Sequence, residues 1–529
     1  MTKRTIAGAL SLAVILVLSE SSFAATSVVF NGVGSSAEFN AFALAAESGT
    51  APVCGTNSWS QKSSSSQPIG GIDSRSSSIP EATGNVWIVW NNSQTTVCAY
   101  LSIDSIVGNQ LFFARTATGG AAATLSINSA WVGTTGANLV PTMTDTTLPQ
   151  AIYNAITGKA FNCAMSDIRP EDALFAVNRA LAALNTSNYN GLGYGPGPIG
   201  TPVQDSFGAG KTATPVAFAL SGTDPITGGH VPTWTTTNAG GLPLIVFVNT
   251  QQTGSSGDFS NTAAFQNVDR RDLAEAVNGT YPWTRDITSA AGIAQQPLNI
   301  LLREPISGTY NTFEFCIPRN LEINSTQELG VNPAASGGNP LDIANPYSGG
   351  WRKRVIGTGQ MTSEVGTSSN GNVLGYAFWG TGNFTSDVST TRYLTVDGVD
   401  PLFANYEGGF FPTCVAPCPG LVSFSNVLNG SYPIWSIERV VTLRSIPSGV
   451  TAIINAAQSE AANVVPDFVP IAQMNVFRSH YKQSGFNPSN GYKAGSPESG
   501  GDMGGAAMAV QADQDAITDT GLEYVGFKQ

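Results

Sequence analysis

The chain has 529 residues, only 11% of them charged, and a formal net charge of -12. That length exceeds one ordinary core and allows two or three lobes. The acidic balance excludes nucleic acid and an anionic membrane surface as main partners, so an anionic ligand would depend on local dipoles and a few donors.

At the N-terminus, Lys3 and Arg4 precede an apolar run over 6–18, and Ser22-Phe23-Ala24 offers the small residues of a cleavage site. This predicts a secretory signal peptide, 1–24, and a periplasmic or secreted mature chain. The run is short for a membrane anchor, and no cysteine follows it to carry a lipid. Cys54, Cys98, Cys163, Cys316, Cys414 and Cys418 read as up to three disulfides in that compartment, with only Cys414–Cys418 suggested by proximity. No metal and no cofactor are expected, since the spacings are wide and the only histidines are His230 and His480.

The stretch "TSVVFNGVGSSAEFNAFALAA" predicts a strand over 28–30 and a turn at Gly32-Val33-Gly34. A helix follows, opened by Ser35 and Glu38 as a capping box, with Phe39, Phe42 and Ala43 on its apolar face. "SQKSSSSQPIGGIDSRSSS" predicts a loop, and "NVWIVWN" and "VCAYLSIDSIVG" predict strands. Next come a helix, a strand over 161–164, and the amphipathic helix "RPEDALFAVNRALAAL" with Pro170 in its first turn. After the irregular "GLGYGPGPIGTP", the run "LPLIVFVNT" (242–250) is apolar throughout, as a buried parallel strand would be. "VDRRDLAEAVNG" predicts a helix ending at Gly279, and "LNILLRE" a strand. "NVLGYAFWG", "RYLTVDGVDP" and "IERVVTLRSI" predict strands, and "SGVTAIINAAQSEAANVV" a helix. The polar, Gly-rich stretch from about residue 484 onward predicts poor order.

Strands alternating with helices imply an α/β protein with mainly parallel sheets, whose ligands bind at the carboxyl ends of the strands. Two glycine-bearing strand-to-helix junctions lie in that kind of place, 32–36 and the Ser-Gly-Thr of "REPISGT" at 307–309. A helix start leaves N–H groups unpaired and partly positive, a Ser or Thr adds a hydroxyl, and a glycine admits an anion closely. Arg303 adds a planar fork able to grip two oxygens. Either junction alone is also what an ordinary helix cap looks like. Their pairing with Arg303 points to oxyanion binding.

The motifs "VVFNGVGSSAEF", "FNCAMSDIRP", "NVDRRDLAEAVNGTYPWTRDI", "LNILLREPISGTYNTFEF", "NVLGYAFWG" and "LTVDGVDP" with "SYPIWS" follow one another in this order. In that order they resemble the substrate-binding proteins of phosphate ABC transporters. The resemblance implies a two-lobed type II periplasmic-binding fold with extra loop and strand insertions, each lobe a mainly parallel sheet flanked by helices. Lobe one would be 25–245 together with 385–529, and lobe two 246–384. It implies no enzyme, but a monomer peripheral to the membrane that captures inorganic phosphate and delivers it to a permease. By motif match, Gly34, Ser35, Ser36 and Asp167 would face the ligand from lobe one, and Arg303, Ser307, Gly308 and Thr309 from lobe two.

Asp167 is the discriminating residue. A carboxylate tolerates an anion beside it only if the anion carries a proton, as hydrogen phosphate does and sulfate does not. The other role open to Asp167 is a helix cap before "RPED". Two departures from the family stand out. Pro305 occupies the position where an acid orients the arginine, and the second serine-bearing loop has no clean counterpart, "SQKSSSSQPIGGIDSR" being the nearest stretch.

"GAGKTAT" (208–214) lacks the first glycine of a nucleotide loop, Asp205 standing there. No G-x-S-x-G elbow supports a hydrolase. Trp87, Trp90, Trp131, Trp234 and Trp283 fit core packing better than carbohydrate stacking. Beside the phosphate reading stand a secreted structural or interaction protein that keeps the fold, and a binder of another oxyanion.

Overall fold

The computed structural model describes residues 25–47, 52–62, 84–113, 123–168, 234–250, 259, 265–303, 307–314, 316–317, 342–344, 350–355, 357–367, 371–384, 389–414, 417–443, 445–479, 502–503 and 524–527. The signal peptide, "RPEDALFAVNRALAAL", the linker after it, "GAGKTAT", His230, His480, Pro305 and most of the Ser/Gly-rich loop lie outside them.

The elements alternate as the sequence pattern implies. They run β1 Ser27–Gly34, α1 Phe39–Glu47, β2 Asn57–Lys62, β3 Asn85–Trp90, β4 Thr96–Ser102, α2 Ser105–Phe113, α3 Gln150–Ile156, β5 Cys163–Ser166 and β6 Trp234–Asn249. Then come β7 Asn267–Val268, α4 Arg270–Asn278, α5 Thr284–Ile287, β8 Asn299–Arg303, α6 Gly308–Glu314, β9 Asp342–Ala344, β10 Trp351–Val355, α7 Gly357–Thr367 and β11 Val373–Phe378. The chain finishes with β12 Thr391–Tyr393, β13 Thr395–Val396, α8 Ser425–Leu428, β14 Trp435–Leu443, α9 Ser448–Asn463 and β15 Val469–Pro470. Three short strands form a separate sheet in which β16 Val476–Ser479 pairs with both β17 Asp502–Met503 and β18 Tyr524–Phe527. The described parts of the tail are therefore strands, although composition alone predicts poor order there.

The described residues build a mixed α/β fold around a 13-stranded sheet in the order β2-β3-β4-β1-β5-β14-β6-β11-β8-β10-β9, with β12 and β15 also on β6. Each half has a parallel core, β4-β1-β5 in one and β11-β8-β10 in the other. Antiparallel strands flank both cores. The halves share β6: residues 234–243 pair with β14, and residues 244–248 pair with β11. Pro243 sits where the partner changes, a place that asks no N–H of it, and its carbonyl accepts from the Trp379 N–H at 3.0 Å. The run 242–250 is thus buried as expected but antiparallel to both partners, because burial on both faces, not strand direction, makes a strand uniformly apolar.

Period-two alternation explains the layers. β4 sends Val97, Ala99 and Leu101 into a core with α2 and α3, and Cys98 and Tyr100 into the opposite core with α1. The latter core continues across β6 into the other half, and α1 packs against α9. Trp87, Trp90 and Trp131 are buried core residues.

Two local expectations need correction. "VCAYLSIDSIVG" is one strand only as far as Ser102; from Ser105 it is α2. Helix α1 begins at Phe39, and no capping box forms. The Ser35 hydroxyl accepts from the Ala37 N–H, while the Glu38 carboxyl is buried against Glu438.

Among the cysteines, Cys54–Cys98 and Cys414–Cys418 are disulfides, whereas Cys163 and Cys316 are buried outside any disulfide, so the six do not make three bridges. No helix among the described residues is long and apolar enough to cross a membrane.

Candidate functional site

The carboxyl ends of β1, β4, β5, β8 and β10 converge between the two halves of the sheet. Ser36 follows β1, Asp104 and Ser105 follow β4, and Asp167 follows β5. Arg303 ends β8, with Ser307, Gly308 and Thr309 opening α6, and Thr358 lies in the first turn of α7.

Arg303 is the centre of the cluster and has 0% of its surface exposed. Its Nη2 bonds Asp104 Oδ1 at 2.9 Å, joining β8 of one half to the β4–α2 junction of the other. Its Nη1 donates to Thr309 Oγ1 at 3.2 Å and to Thr358 Oγ1 at 3.4 Å. Ser36 Oγ lies 3.3 Å from Thr358 Oγ1, which brings the β1–α1 junction into the same network. The Arg303 backbone N–H donates to Tyr376 Oη at 3.2 Å, and the Tyr376 ring stacks on Phe313 with centroids 4.1 Å apart. The guanidinium is thereby fixed from both backbone and side chain. Asp104 supplies from across the cleft the counter-charge that Pro305 cannot.

Asp167 sits against the helix starts. Ser105 Oγ donates to its Oδ1, and Ser436 Oγ donates to its carbonyl. Gly308 lies directly over the carboxylate: a Cβ there would fall 1.5 Å from Asp167 Oδ1 and 2.5 Å from Ser105 Oγ. Only glycine allows α6 to start this close to β5. Burial pushes the Asp167 carboxyl up to about 6, opposed by Ser105, Arg303 and Arg439. Ser307 Oγ is buried and has no hydrogen-bond partner among the described residues.

Gly34 holds the β1–α1 junction at φ 143°, where a Cβ would meet the Met165 carbonyl oxygen at 1.9 Å. Ser35 secures the same junction. Its N–H donates to Met165 O at 2.9 Å, and its carbonyl accepts from Tyr100 Oη. Ser35 therefore bonds within its own half of the sheet, and Ser36 is the serine of this junction that reaches the other half.

Beneath the cluster, Glu38 and Glu438 are buried together. Burial raises Glu38 well above the usual carboxylate range, reinforced by Glu438. Burial raises Glu438 to about 8, with the adjacent Glu38 carboxyl opposing and the Asp167 charge adding to the rise.

Outward from Asp104, Ser36 and Thr358 runs a groove of about 730 Å³, bounded by α1 and the ends of β3 and β4 on one side and by α7 on the other.

The sequence motifs give Ser36, Asp167, Arg303, Gly308 and Thr309, and the fold brings all of these into one cluster. Sequence reasoning misses Asp104, Ser105 and Thr358. Ser105 heads α2, with its hydroxyl on Asp167, and lies outside "SQKSSSSQPIGGIDSR", the stretch nearest by sequence to a second serine-bearing loop. The signal that could have found it is the polar "SIDS" interrupting an apolar run.

No family model matches the chain, and no curated protein matches its sequence. Solved structures to which it is similar include phosphate-binding proteins. An ABC-type phosphate transport receptor from Vibrio cholerae is 14% identical over 44% of this chain and 68% of that one, at TM-score 0.26. A phosphate-binding protein from Stenotrophomonas maltophilia is 10% identical over 84% of this chain and 91% of that one, at TM-score 0.34. A DING protein is 12% identical over 83% and 91%, at TM-score 0.33. At these identities and scores the likeness carries nothing about what this chain binds.

Proposed function

We propose that the chain is an exported solute-binding protein that holds a phosphate group between two lobes, with Ser36, Arg303, Ser307, Thr309 and Thr358 as donors, Asp167 as the proton-sharing carboxylate and Ser105 holding that carboxylate in place. The observation that carries this reading is the convergence of a buried arginine, hydroxyl-bearing helix starts and a buried carboxylate at the carboxyl ends of parallel strands. Lobe one is 25–245 with 385–529 and lobe two is 246–384, with β12 and β13 of the returning chain pairing onto β6 and β7 of lobe two, and closure about β6 and the return after β11 buries the ligand. No bond is made or broken: capture needs only that the closed state be more stable with ligand than without. Delivery to an ABC-type permease is the matching role for such an exported binder.

Equilibrium dialysis of the mature protein with labelled phosphate, with and without excess sulfate, tests it. Saturable binding that sulfate does not displace is the expected result. Binding that sulfate displaces equally well would assign the site to oxyanions in general and remove the role of Asp167.

A second reading is favoured by one observation. Arg303 already bonds Asp104, Thr309 and Thr358 within the protein, a pattern that a chain keeping the fold as a secreted interaction protein would also show. Absence of any saturable binding in the same dialysis would favour it.

A further inference from the structure

We propose that the ligand is a phosphomonoester of a hydroxylated organic group, in the size class of a sugar phosphate, whose organic part lies in the groove beside Arg303. The inference rests on the phosphate-group reading above. The groove begins where the anion cluster ends, since Ser36, Asp104 and Thr358 belong to both. Its volume of about 730 Å³ lies within the ~300–1,000 Å³ typical of small-molecule sites and far exceeds what an inorganic ion fills.

The lining is suited to hydroxyl groups. Asn40 of α1 and Asn85 of β3 present half-buried amides that find no hydrogen-bond partner among the described residues. Each offers two donors and an acceptor, which is what vicinal hydroxyls need. Gln360 and Asn383 add amides from the other half of the molecule. Phe39, whose ring leans on Tyr100 at 6.4 Å between centroids, gives one wall an apolar patch of the kind that contacts the C–H face of a sugar ring. Because α1 and α7 face each other across the groove, an organic group there is gripped from both lobes and closure is tightened by it. An ester keeps three phosphate oxygens for the donors. The ester's monoanion, unlike sulfate, still carries one P–OH, and this is the proton that bridges to Asp167.

The test is calorimetric titration of ligand-stripped protein with glucose 6-phosphate and with inorganic phosphate, repeated on Asn40→Ala and Asn85→Ala. Glucose 6-phosphate is expected to bind at least about tenfold more tightly than inorganic phosphate. Each variant is expected to lose about tenfold for glucose 6-phosphate, the scale of an unpaired polar contact, while leaving inorganic phosphate unchanged. Inorganic phosphate binding as tightly as the ester would overturn the inference and leave the phosphate-group reading standing. Ester binding indifferent to both variants would also overturn it. No binding of either compound would overturn the inference together with the reading it rests on.

Discussion

Arg303 and Asp104 form a buried pair whose two partners come from different halves of the sheet. Removing one partner of such a pair leaves an uncompensated charge and costs about 3–5 kcal/mol. Asp104→Ala is therefore expected to lower the ligand-free unfolding temperature, and phosphate to restore more of it than in the wild type, because the anion replaces the lost carboxylate. Thermal unfolding with and without phosphate measures both. A ligand shift no larger than that of the wild type would show that Arg303 does not face the ligand. Asp167 behaves oppositely. Its folded value of about 6 exceeds its ordinary 3.8, so its stabilising contribution is complete below the ordinary value and is lost as pH rises through about 6. The groups facing it are Ser105, Arg303, Arg439, Glu38 and Glu438. Asp167→Asn is expected to be more stable than wild type at neutral pH, on the order of 1–3 kcal/mol, and equal to it in acid. Denaturant unfolding at both pH values checks this; a variant less stable at neutral pH would contradict it.

At the scale of elements, the strand-to-helix junctions set the geometry. Gly34 is the most constrained of their residues. Gly34→Ala would put a methyl group against the Met165 carbonyl in a conformation L-residues avoid, and is expected to destabilise by on the order of 3 kcal/mol. Chemical denaturation reads this directly, and a near-neutral effect would mean that the junction is built differently. Junctions whose donors lie together in one local motif were legible in the sequence: "GVGSS", "SD" and "REPISGT" each carry their own glycine, serine or charge. The β4–α2 junction was not, for a physical reason. The described side chains of α2 are buried on every side, so its sequence lacks the periodic contrast between apolar and polar faces that distinguishes a helix from a strand. Its place beside β1 is fixed by parallel pairing between Ser27–Gly34 and Thr96–Ser102, which no local pattern encodes. Thr358 was hidden likewise, because β10 reaches Arg303 only through its pairing with β8.

For the whole molecule, the alternation of strands and helices gave the α/β class, and the apolar run at 242–250 gave a central strand. Strand direction was less visible, since burial on both faces erases the distinction between parallel and antiparallel neighbours. The disulfide Cys54–Cys98 was equally hidden, as it joins the approach to β2 with β4 across 44 residues. A collective property follows from the buried carboxylates. Glu38, Asp167, Glu438 and Asp467 all have folded values raised above the ordinary range by burial, two of them to about 6 and Glu438 to about 8. Their contribution is present below the ordinary carboxylate values and is lost as pH rises through the folded ones, and the net charge of -12 adds repulsion in the same direction. The unfolding temperature of the ligand-free protein is expected to fall steadily from mildly acidic to mildly alkaline pH; a rise over that range would contradict the burial of these groups. The central claim is that Arg303 and its converging helix starts hold a phosphate group. Isothermal titration of the ligand-stripped mature chain with phosphate at neutral pH, beside Arg303→Ala, tests it most directly. One saturating site in the wild type and none in a folded variant is the expected result, whereas equal heats from both, or none from either, would contradict it.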